Sequence, residues 1–438
     1  MAFVHQDSCE CTKSELDLFS LPLTQTSIES GQWVHYHPIA PLSDGSNIEF
    51  VVPGSGEDYI DPAHTLLHLT VKVTNEAGLA LAADVQVGPV NNWAHSMFSQ
   101  IDVSLNQKLI TSASHTYPYR AYIETVLGYD GPAKASHLTS RLFYKDTAGK
   151  MDDVENGNEG LVARRQFTAK SGKVDMITNL HCDLFNQEKY ILNGVEMRIR
   201  LVRSKDEFHL IAKDGVKAKT SILAATLIVR KARLNPSVLI GHAKALEKAS
   251  AKYNIVRADV KTITVNAGLR SRILDNIYLG QLPKRVIIGF VTNSAYNGSL
   301  HLNPFNFDHF GVQFLSLYVD GVQIPSQPLA PDYTHTLSPL YISAYHTLFS
   351  GTGIHFKDEG NDITRTQFPN GYCLYAFDLT PDLSSHSGHW NLQRNGCMRL
   401  EIRFRTELTA GVNCILYSEF DSLIEIDKHR NVQIDYVN

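Results

Sequence analysis

The sequence contains few cysteines and no long apolar run. Its six cysteines are spread irregularly over 438 residues, which argues against a disulfide scaffold. No apolar stretch reaches the ~20 residues that a membrane-spanning helix needs, so no membrane span is expected. The N-terminal segment Met1–Ser20 is polar and acidic and lacks the apolar core of a signal peptide. The sequence therefore predicts a protein made in the cytoplasm.

An excess of positive charge is also missing. The chain has 40 Lys and Arg against 45 Asp and Glu, a formal net charge of −5. A protein that wraps nucleic acid normally has a basic excess, so sequence-specific nucleic-acid binding is not expected. The local basic clusters Arg164-Arg165 and Arg230–Arg233 are interpreted as solvated ends of strands.

Motifs that carry chemistry are scarce. Gly149-Lys150 lacks the leading glycine and the trailing Ser or Thr of a phosphate-binding loop. Neither a Gly-x-Ser-x-Gly elbow nor a His-Glu-x-x-His motif occurs. Cys9-Glu10-Cys11 is one residue too tight for the usual zinc or redox pair. We therefore predict no catalytic residues and no cofactor-binding residues.

Two weaker patterns keep an enzymatic alternative open. His35 and His37 have the His-x-His spacing of some β-barrel metal sites, and strand alternation would point both imidazoles the same way. No further ligands follow at matching spacing, so no metal ligands are predicted. Asp152, Asp153 and Glu159 fall in a polar segment expected to be a solvated loop, and a glycosidase on a β-sandwich needs only two carboxylates.

Strand patterns dominate the chain. Apolar and polar residues alternate in short segments with turn residues between them, which is typical of half-buried antiparallel strands in a sandwich or barrel. The clearest such segments are Ile48–Val52, Leu66–Thr74, Ile101–Leu105, Val195–Val202, Ile222–Val229, Ile255–Val265, Arg285–Thr292, Phe314–Val319, Tyr372–Phe377, Met398–Arg405 and Val412–Phe420.

Two segments have helical spacing instead. Pro118–Gly128 carries a Tyr/Ile/Val stripe, and we expect that stripe to pack on the first sandwich. Pro236–Lys252 can be capped by Asn235 and lies between two strand-rich halves. The sequence thus predicts an N-terminal arm (1–20), a first all-β domain (21–235), a linker helix (236–252) and a second all-β domain (253–438).

The two halves look like diverged copies. Asn92-Trp93-Ala94-His95 and Asn306-Phe307-Asp308-His309 precede strands that match without a gap and in phase. Both halves also share a Val-Thr-Asn strand end, a long polar segment, an Asn-Gly turn and a final β-rich segment, in the same order. We predict duplicated all-β domains, with two unrelated sandwiches as the alternative.

Two blocks resemble a known family. The block Tyr117–Tyr129 and the C-terminal block from Trp390 through Asn395–Phe404 to Tyr436 are similar to segments of Polinton/Maverick-type major capsid proteins. These belong to the adintovirus, virophage and adenovirus-hexon-like lineage of DNA viruses. The resemblance covers most of the chain, in order, and its motifs are structural.

The resemblance implies an architecture and a function. Each half would be an eight-stranded jelly roll, giving an all-β double jelly roll with short helices in its loops. Three chains would form a pseudo-hexagonal homotrimer that contacts neighbouring capsomers and tiles an icosahedral shell around double-stranded DNA. A single jelly-roll penton protein would fill the vertices. The protein would be located in the virion and would not be an enzyme.

The same resemblance suggests roles for the loops. The long segments Asp130–Lys173 and Pro325–Gly371 would project outward or clasp neighbouring subunits, so deleting Asp152–Glu159 is expected to spare the fold. The arm Met1–Ser20 would reach beneath a neighbour.

Three other functions compete with the capsid interpretation. They are a carbohydrate-binding or carbohydrate-cleaving β-sandwich protein, a metal-dependent β-barrel enzyme built on His35 and His37, and a minor vertex protein. The last is disfavoured by length, since one jelly roll needs about half of this chain.

Overall fold

The structure is a computed structural model that describes residues 4–43, 45–54, 56–334 and 339–436. Its strands form two antiparallel sandwiches in sequence. Strands of the first half are β1 (Ile28–Tyr36), β2 (Ile48–Val52), β3 (Tyr59–Asn75), β4 (Val87–Pro89), β5 (Phe98–Leu105), β6 (Lys108–Leu109), β7 (Val174–Asn179), β8 (Met197–Arg203), β9 (Leu210–Ala212) and β10 (Ala218–Leu234).

Strands of the second half follow the same plan. They are β11 (Ala251–Val265), β12 (Ser271–Gln281), β13 (Arg285–Thr292), β14 (Phe307–Asp308), β15 (Val312–Val319), β16 (Val322–Leu329), β17 (Asn370–Gly371), β18 (Leu374–Asp378), β19 (Asn395–Phe404), β20 (Val412–Ile426) and β21 (Val432–Ile434).

Short helices occupy the connections. They are α1 (Trp93–Ser96), α2 (Tyr117–Gly128), α3 (Gly131–Ala135), α4 (Glu159–Thr168), α5 (Asp206–His209), α6 (Pro236–Leu246), α7 (Asn293–Asn297) and α8 (Ile342–Ser350), with 3₁₀ turns at Ser14–Leu16, His137–Arg141, Ala169–Ser171 and Asp183–Asn186. No helix in the described ranges is long and apolar enough to cross a membrane.

Both halves have the strand order of a jelly roll. The first pairs a sheet of order β1-β10-β3-β7 with one of order β2-β8-β5-β6. The second pairs order β11-β20-β13-β18 with order β12-β19-β15-β16, so the eight principal strands of each half correspond one to one. Alternate side chains of both sheets meet in the core between them, as in the burial pattern of β2 and β8. The predicted double jelly roll is confirmed.

The correspondence extends to single residues. The offset that matches Asn92 with Asn306 also matches β5 with β15 at both ends. A bulge interrupts each of these strands at the matched positions, between Phe98 and Gln100 and between Val312 and Phe314.

Both matched strands end in the same hairpin turn. Two residues with positive φ follow each strand, Asn106 and Gln107 in the first half and Asp320 and Gly321 in the second. The Asn106 Oδ1 accepts from the Glu196 backbone N at 2.8 Å, and Asp320 Oδ1 accepts from the Cys397 N at the same distance. An Asn or Asp is needed at this point because its side chain closes the turn onto the neighbouring strand.

The linker helix is shorter than the predicted segment 236–252. Asn235 caps it as expected by accepting from the Ser237 N at 3.0 Å, but the helix ends at Leu246. Ala251 and Lys252 already belong to β11, opposite Ile426 and Glu425 of β20. Long-range strand pairing therefore overrides the helical apolar spacing that continues through Tyr253.

Helix α2 packs on the first jelly roll, as predicted, and on the second as well, which the prediction did not include. Tyr117 and Ala121 belong to the first core, whereas the side chains facing the second core are Tyr119, Tyr122, Ile123, Val126 and Leu127. The Tyr122 ring stacks on Phe305 with centroids 4.3 Å apart. The helix is thus a shared element of two cores.

This position predicts that Tyr122 couples the two halves. Tyr122→Ala would remove a fully buried ring and lower the free energy of unfolding by about 3–5 kcal/mol. The matched control is Tyr318→Ala, whose half-buried ring lies on β15 under Arg399 and should cost about 1 kcal/mol. Urea denaturation of both variants measures the difference, and equal losses would contradict the coupling role.

Candidate functional site

A buried polar network crosses the junction between the two jelly rolls. Helix α2 supplies Arg120 and Glu124, whose Nε and Oε1 atoms are 2.8 Å apart. Arg120 Nη2 also lies 2.7 Å from Asp183 Oδ1, and the His181 Nδ1–H donates to Glu124 Oε2 at 2.6 Å. All of these groups come from the first half.

The second half completes this network. The Tyr417 hydroxyl lies within hydrogen-bond distance of both Glu124 Oε1, at 3.1 Å, and Glu419 Oε1, at 2.9 Å. Arg285 Nη2 is 2.6 Å from the same Glu419 oxygen. A continuous set of polar contacts therefore runs from Asp183 through α2 to β13 and β20.

A second polar cluster lies deeper. Arg164 and Asp146 are both fully buried, with Nη2 and Oδ1 2.6 Å apart. From the second half, Asn303 Nδ2 donates to Asp146 Oδ2 at 3.1 Å, and the Tyr372 hydroxyl donates to the Asp146 carbonyl at 2.6 Å. The prediction that Arg164 is a solvated strand end is wrong, because it lies inside α4 and neutralises a buried carboxylate.

The other basic cluster is also engaged within the chain. Arg230 Nη1 lies 3.6 Å from Asp61 Oδ2, and Lys231 is buried with its ammonium 5.7 Å from the centre of the Tyr36 ring. Arg233 Nη2 lies 3.6 Å from Glu57 Oε2. Neither basic cluster presents a free row of cations.

A cleft of about 740 Å³ opens over the first network. Residues of both halves line it, including Arg120, Glu124, His181, Arg285 and Glu419. Glu124 and Glu419 approach the same Tyr417 hydroxyl, so this pair is the arrangement that bears on carbohydrate cleavage.

Electrostatics exclude Glu124 as the proton donor for that chemistry. Burial would raise the pKa of Glu124, but Arg120 and the hydrogen bond from His181 outweigh it and hold the pKa at about 2. Glu419 is held against Arg285. A glycosidase needs one carboxylic acid that keeps its proton near neutral pH, and Glu124 does not.

The weaker sequence patterns form no site. His35 and His37 are exposed, on β1 and just after it, and no cluster of three or more metal-ligating side chains occurs among the described residues. Cys9 and Cys11 are exposed free thiols in the arm. Of the four cysteines in strand-like segments, three are buried free thiols and Cys397 is half-buried; the buried ones are Cys182, Cys373 and Cys414.

The first long loop belongs to the junction and does not project freely. Asp152 accepts from the Asn303 backbone N at 2.6 Å and from Asn306 Nδ2 at 2.9 Å. Asn158 is fully buried, donates to Asp146 Oδ1 at 2.8 Å and accepts from the Thr147 N at 3.0 Å. Contrary to the prediction, we therefore expect deletion of Asp152–Glu159 to destabilise the fold.

The sequence patterns did not predict that these junction residues form a buried network. The available signal was Arg120 and Glu124 at i and i+4 in a helix that is otherwise apolar. A charged pair on an apolar helix indicates buried partners, but the partners Asp183, His181 and Tyr417 are far away in sequence.

Comparison with known proteins establishes the fold. No protein-family model matches the chain. A protein of Caenorhabditis elegans, "Uncharacterized protein F54H12.2", is 25% identical over 430 residues, covering 95% of this chain and 100% of that protein.

Solved structures match over nearly the full length. A chain of the Sputnik virophage superposes with a TM-score of 0.66 at 10% identity, covering 100% of this chain and 95% of its own. The Faustovirus major capsid protein gives 0.60 at 7% identity, covering 94% and 92%. The mavirus major capsid protein gives 0.54 at 11% identity, covering 99% and 97%. This chain therefore shares the double jelly-roll fold of these viral proteins.

The packing of the first long loop predicts a large effect at Asn158. Asn158→Ala would remove the cap of α4 and leave buried polar groups without partners, lowering the free energy of unfolding by about 2–4 kcal/mol. Asn156→Ala changes an exposed residue of the same loop and should be neutral. Thermal and urea unfolding of the two variants checks this, and equal stability would contradict the structural role of the loop.

The buried histidine His95 predicts that the protein loses stability in acid. His95 is buried, with Nε2 2.8 Å from the Thr178 hydroxyl and 3.5 Å from Arg141 Nη1. Burial, followed by the charges of His181 and Arg141, depresses the pKa of His95 well below 6.5. Below about pH 6.5 the unfolded chain binds this proton and the folded chain does not, so stability is lost as the pH falls.

The free energy of unfolding should therefore fall between pH 7 and pH 5. In the variant His95→Gln this fall should be smaller by about 2 kcal/mol. The matched control is His37→Gln, which replaces an exposed imidazole outside these buried contacts. Urea denaturation at both pH values tests the difference. The same pH dependence in both variants would remove His95 as the cause.

Proposed function

We propose that the chain is a structural major capsid protein without catalytic activity. The observation that carries this proposal is the likeness to viral structures, among them two major capsid proteins, over 94–100% of this chain. A likeness in one sandwich alone would be uninformative, because sandwiches serve many functions. The paired arrangement is the more specific feature.

The rigid junction suits this role. Three copies of a chain with two similar sandwiches give six sandwiches, and threefold symmetry then imitates sixfold packing. That imitation requires a fixed angle between the two sandwiches of one chain. The shared helix α2 and the two buried polar clusters supply such a constraint, since each of their hydrogen bonds is directional.

On this proposal the protein forms a homotrimer that contacts neighbouring capsomers, with a single jelly-roll penton protein at the vertices. The shell encloses double-stranded DNA, and the protein is located in the virion. The net charge of −5 fits a shell whose contact with DNA is not base-specific.

We further propose an origin in a Polinton/Maverick-type element. Support comes from the relative in a nematode, which matches over 95% of this chain and 100% of its own length. A relative encoded by an animal is expected for a gene of an element that integrates into host chromosomes.

The test is negative-stain electron microscopy of the purified protein over a concentration series, with sedimentation velocity on the same samples. Trimers with a hexagonal outline, or closed shells, are the expected result. Compact monomers at every concentration would overturn spontaneous assembly. Hydrolysis of a glycan panel by the same preparation would overturn the non-enzymatic role.

A further inference from the structure

Two elements expose apolar side chains that the described part of the chain leaves uncovered. The first is the described part of the predicted arm together with the residues that follow it up to Ser27. This segment, Val4–Ser27, is called the arm below, and every residue in it is exposed. The second is helix α6, in which Leu246 is the one fully buried residue. Exposed apolar surface of this extent normally marks a contact with another molecule.

The arm carries an apolar block close to its exit. Within Leu16–Leu23 the exposed fraction reaches 99% for Phe19, 89% for Leu21 and 102% for Leu23. These three residues are spaced two apart, so in an extended conformation they would share one apolar edge. An acidic segment precedes them, in which the charged residues are Asp7, Glu10, Lys13, Glu15 and Asp17.

Helix α6 borders a groove of about 470 Å³. The helix contributes an apolar wall consisting of Leu239, Ile240, Ala243 and Leu246, and Ile240 is 57% exposed. Tyr59 and Arg430 line the same groove. Lys428 and Glu57 also line the groove.

The charges around the two elements are complementary. Lys244 on α6 and Lys248 and Lys252 just after it are exposed, with Glu247 as the one carboxylate in that segment, and Lys428 and Arg430 line the groove. The groove residue Glu57 is itself close to Arg233, at 3.6 Å. An acidic arm with an apolar edge therefore fits a basic groove with an apolar wall.

The two elements are adjacent where the arm leaves the fold. The Asn235 backbone N donates to the Ser27 carbonyl at 2.9 Å, so α6 begins beside the last residue of the arm. Gln25 makes two hydrogen bonds to the backbone of Ile28, at 2.8 and 3.1 Å, and these hold the exit. From there, 24 residues can span about 80 Å when extended, which is enough to reach another subunit.

We propose that the arm of one copy packs into the α6 groove of a second copy of this chain. Phe19, Leu21 and Leu23 supply the apolar contact, and the carboxylates before them face the lysines around α6. This inference deepens the proposed function, because it assigns one of the contacts between copies. It also explains why a single chain leaves both apolar elements exposed.

Cross-linking between differently tagged copies tests the contact. In a background with Cys9→Ser and Cys11→Ser, one copy carries Leu21→Cys and the other Ile240→Cys. Mild oxidation should join the two tags by a disulfide. The matched control replaces the second position by Phe356→Cys, a residue that is 93% exposed in the second half, and should give no product.

Charge reversal supplies an independent measurement. Glu15→Lys with Asp17→Lys, or Lys244→Glu with Lys248→Glu, should each weaken association by roughly tenfold. Mixing the two reversed variants should restore association. These residues are exposed, so folding should be unaffected, and circular dichroism checks this.

The remaining outcomes separate the inference from the proposed function. If the protein forms trimers but no disulfide joins the two tagged copies, the inference is wrong and the capsid proposal still holds. Monomers at every concentration, also without the cross-link, would overturn both. A disulfide confined to a single chain carrying both cysteines would show that the arm folds back on its own helix. Binding of either element to anionic lipid vesicles in place of the cross-link would assign the surface to a membrane and also overturn the inference.

Discussion

Helix α2 has to satisfy two cores at once, and the arrangement of the two jelly rolls depends on how it does so. Its tyrosines point in different directions, with Tyr117 in the first core and Tyr119 and Tyr122 in the second. Between these faces the helix carries Arg120 and Glu124. A helix with apolar residues around most of its circumference can only be stable where apolar partners surround it. Removing either sandwich would expose one of its faces.

The charges in this junction do more to orient the halves than to stabilise them. Taking a carboxylate and a guanidinium out of water costs several kcal/mol, and their attraction repays little beyond that. Their hydrogen bonds, however, have strict geometry, and Glu124 is held by Arg120, His181 and Tyr417 together. Asp146 is held in the same way from both halves. A change in the angle between the sandwiches would break several of these contacts and leave buried charges unpaired.

Much of the fold could be predicted from local patterns. The alternation in Ile101–Leu105 and Phe314–Val319 identified matching strands, and the structure shows the same bulge and the same turn in both. Helix α6 begins where Asn235 and Pro236 predicted. Its end was misjudged because the pairing of Ala251 with Ile426 joins residues far apart in sequence, which no helical spacing can reveal.

The sequence by itself determined the class of each segment, the common order of the two halves and the absence of recognisable catalytic motifs. These properties follow from periodicity, capping and turn residues within a few positions of one another. Only tertiary contacts determine that α2 is shared by both sandwiches, that Arg164 and Asn158 are buried, and that the arm and α6 both remain exposed. Each of these depends on contacts between residues far apart in the chain, and side-chain burial is set by the surface that arrives from elsewhere in the fold.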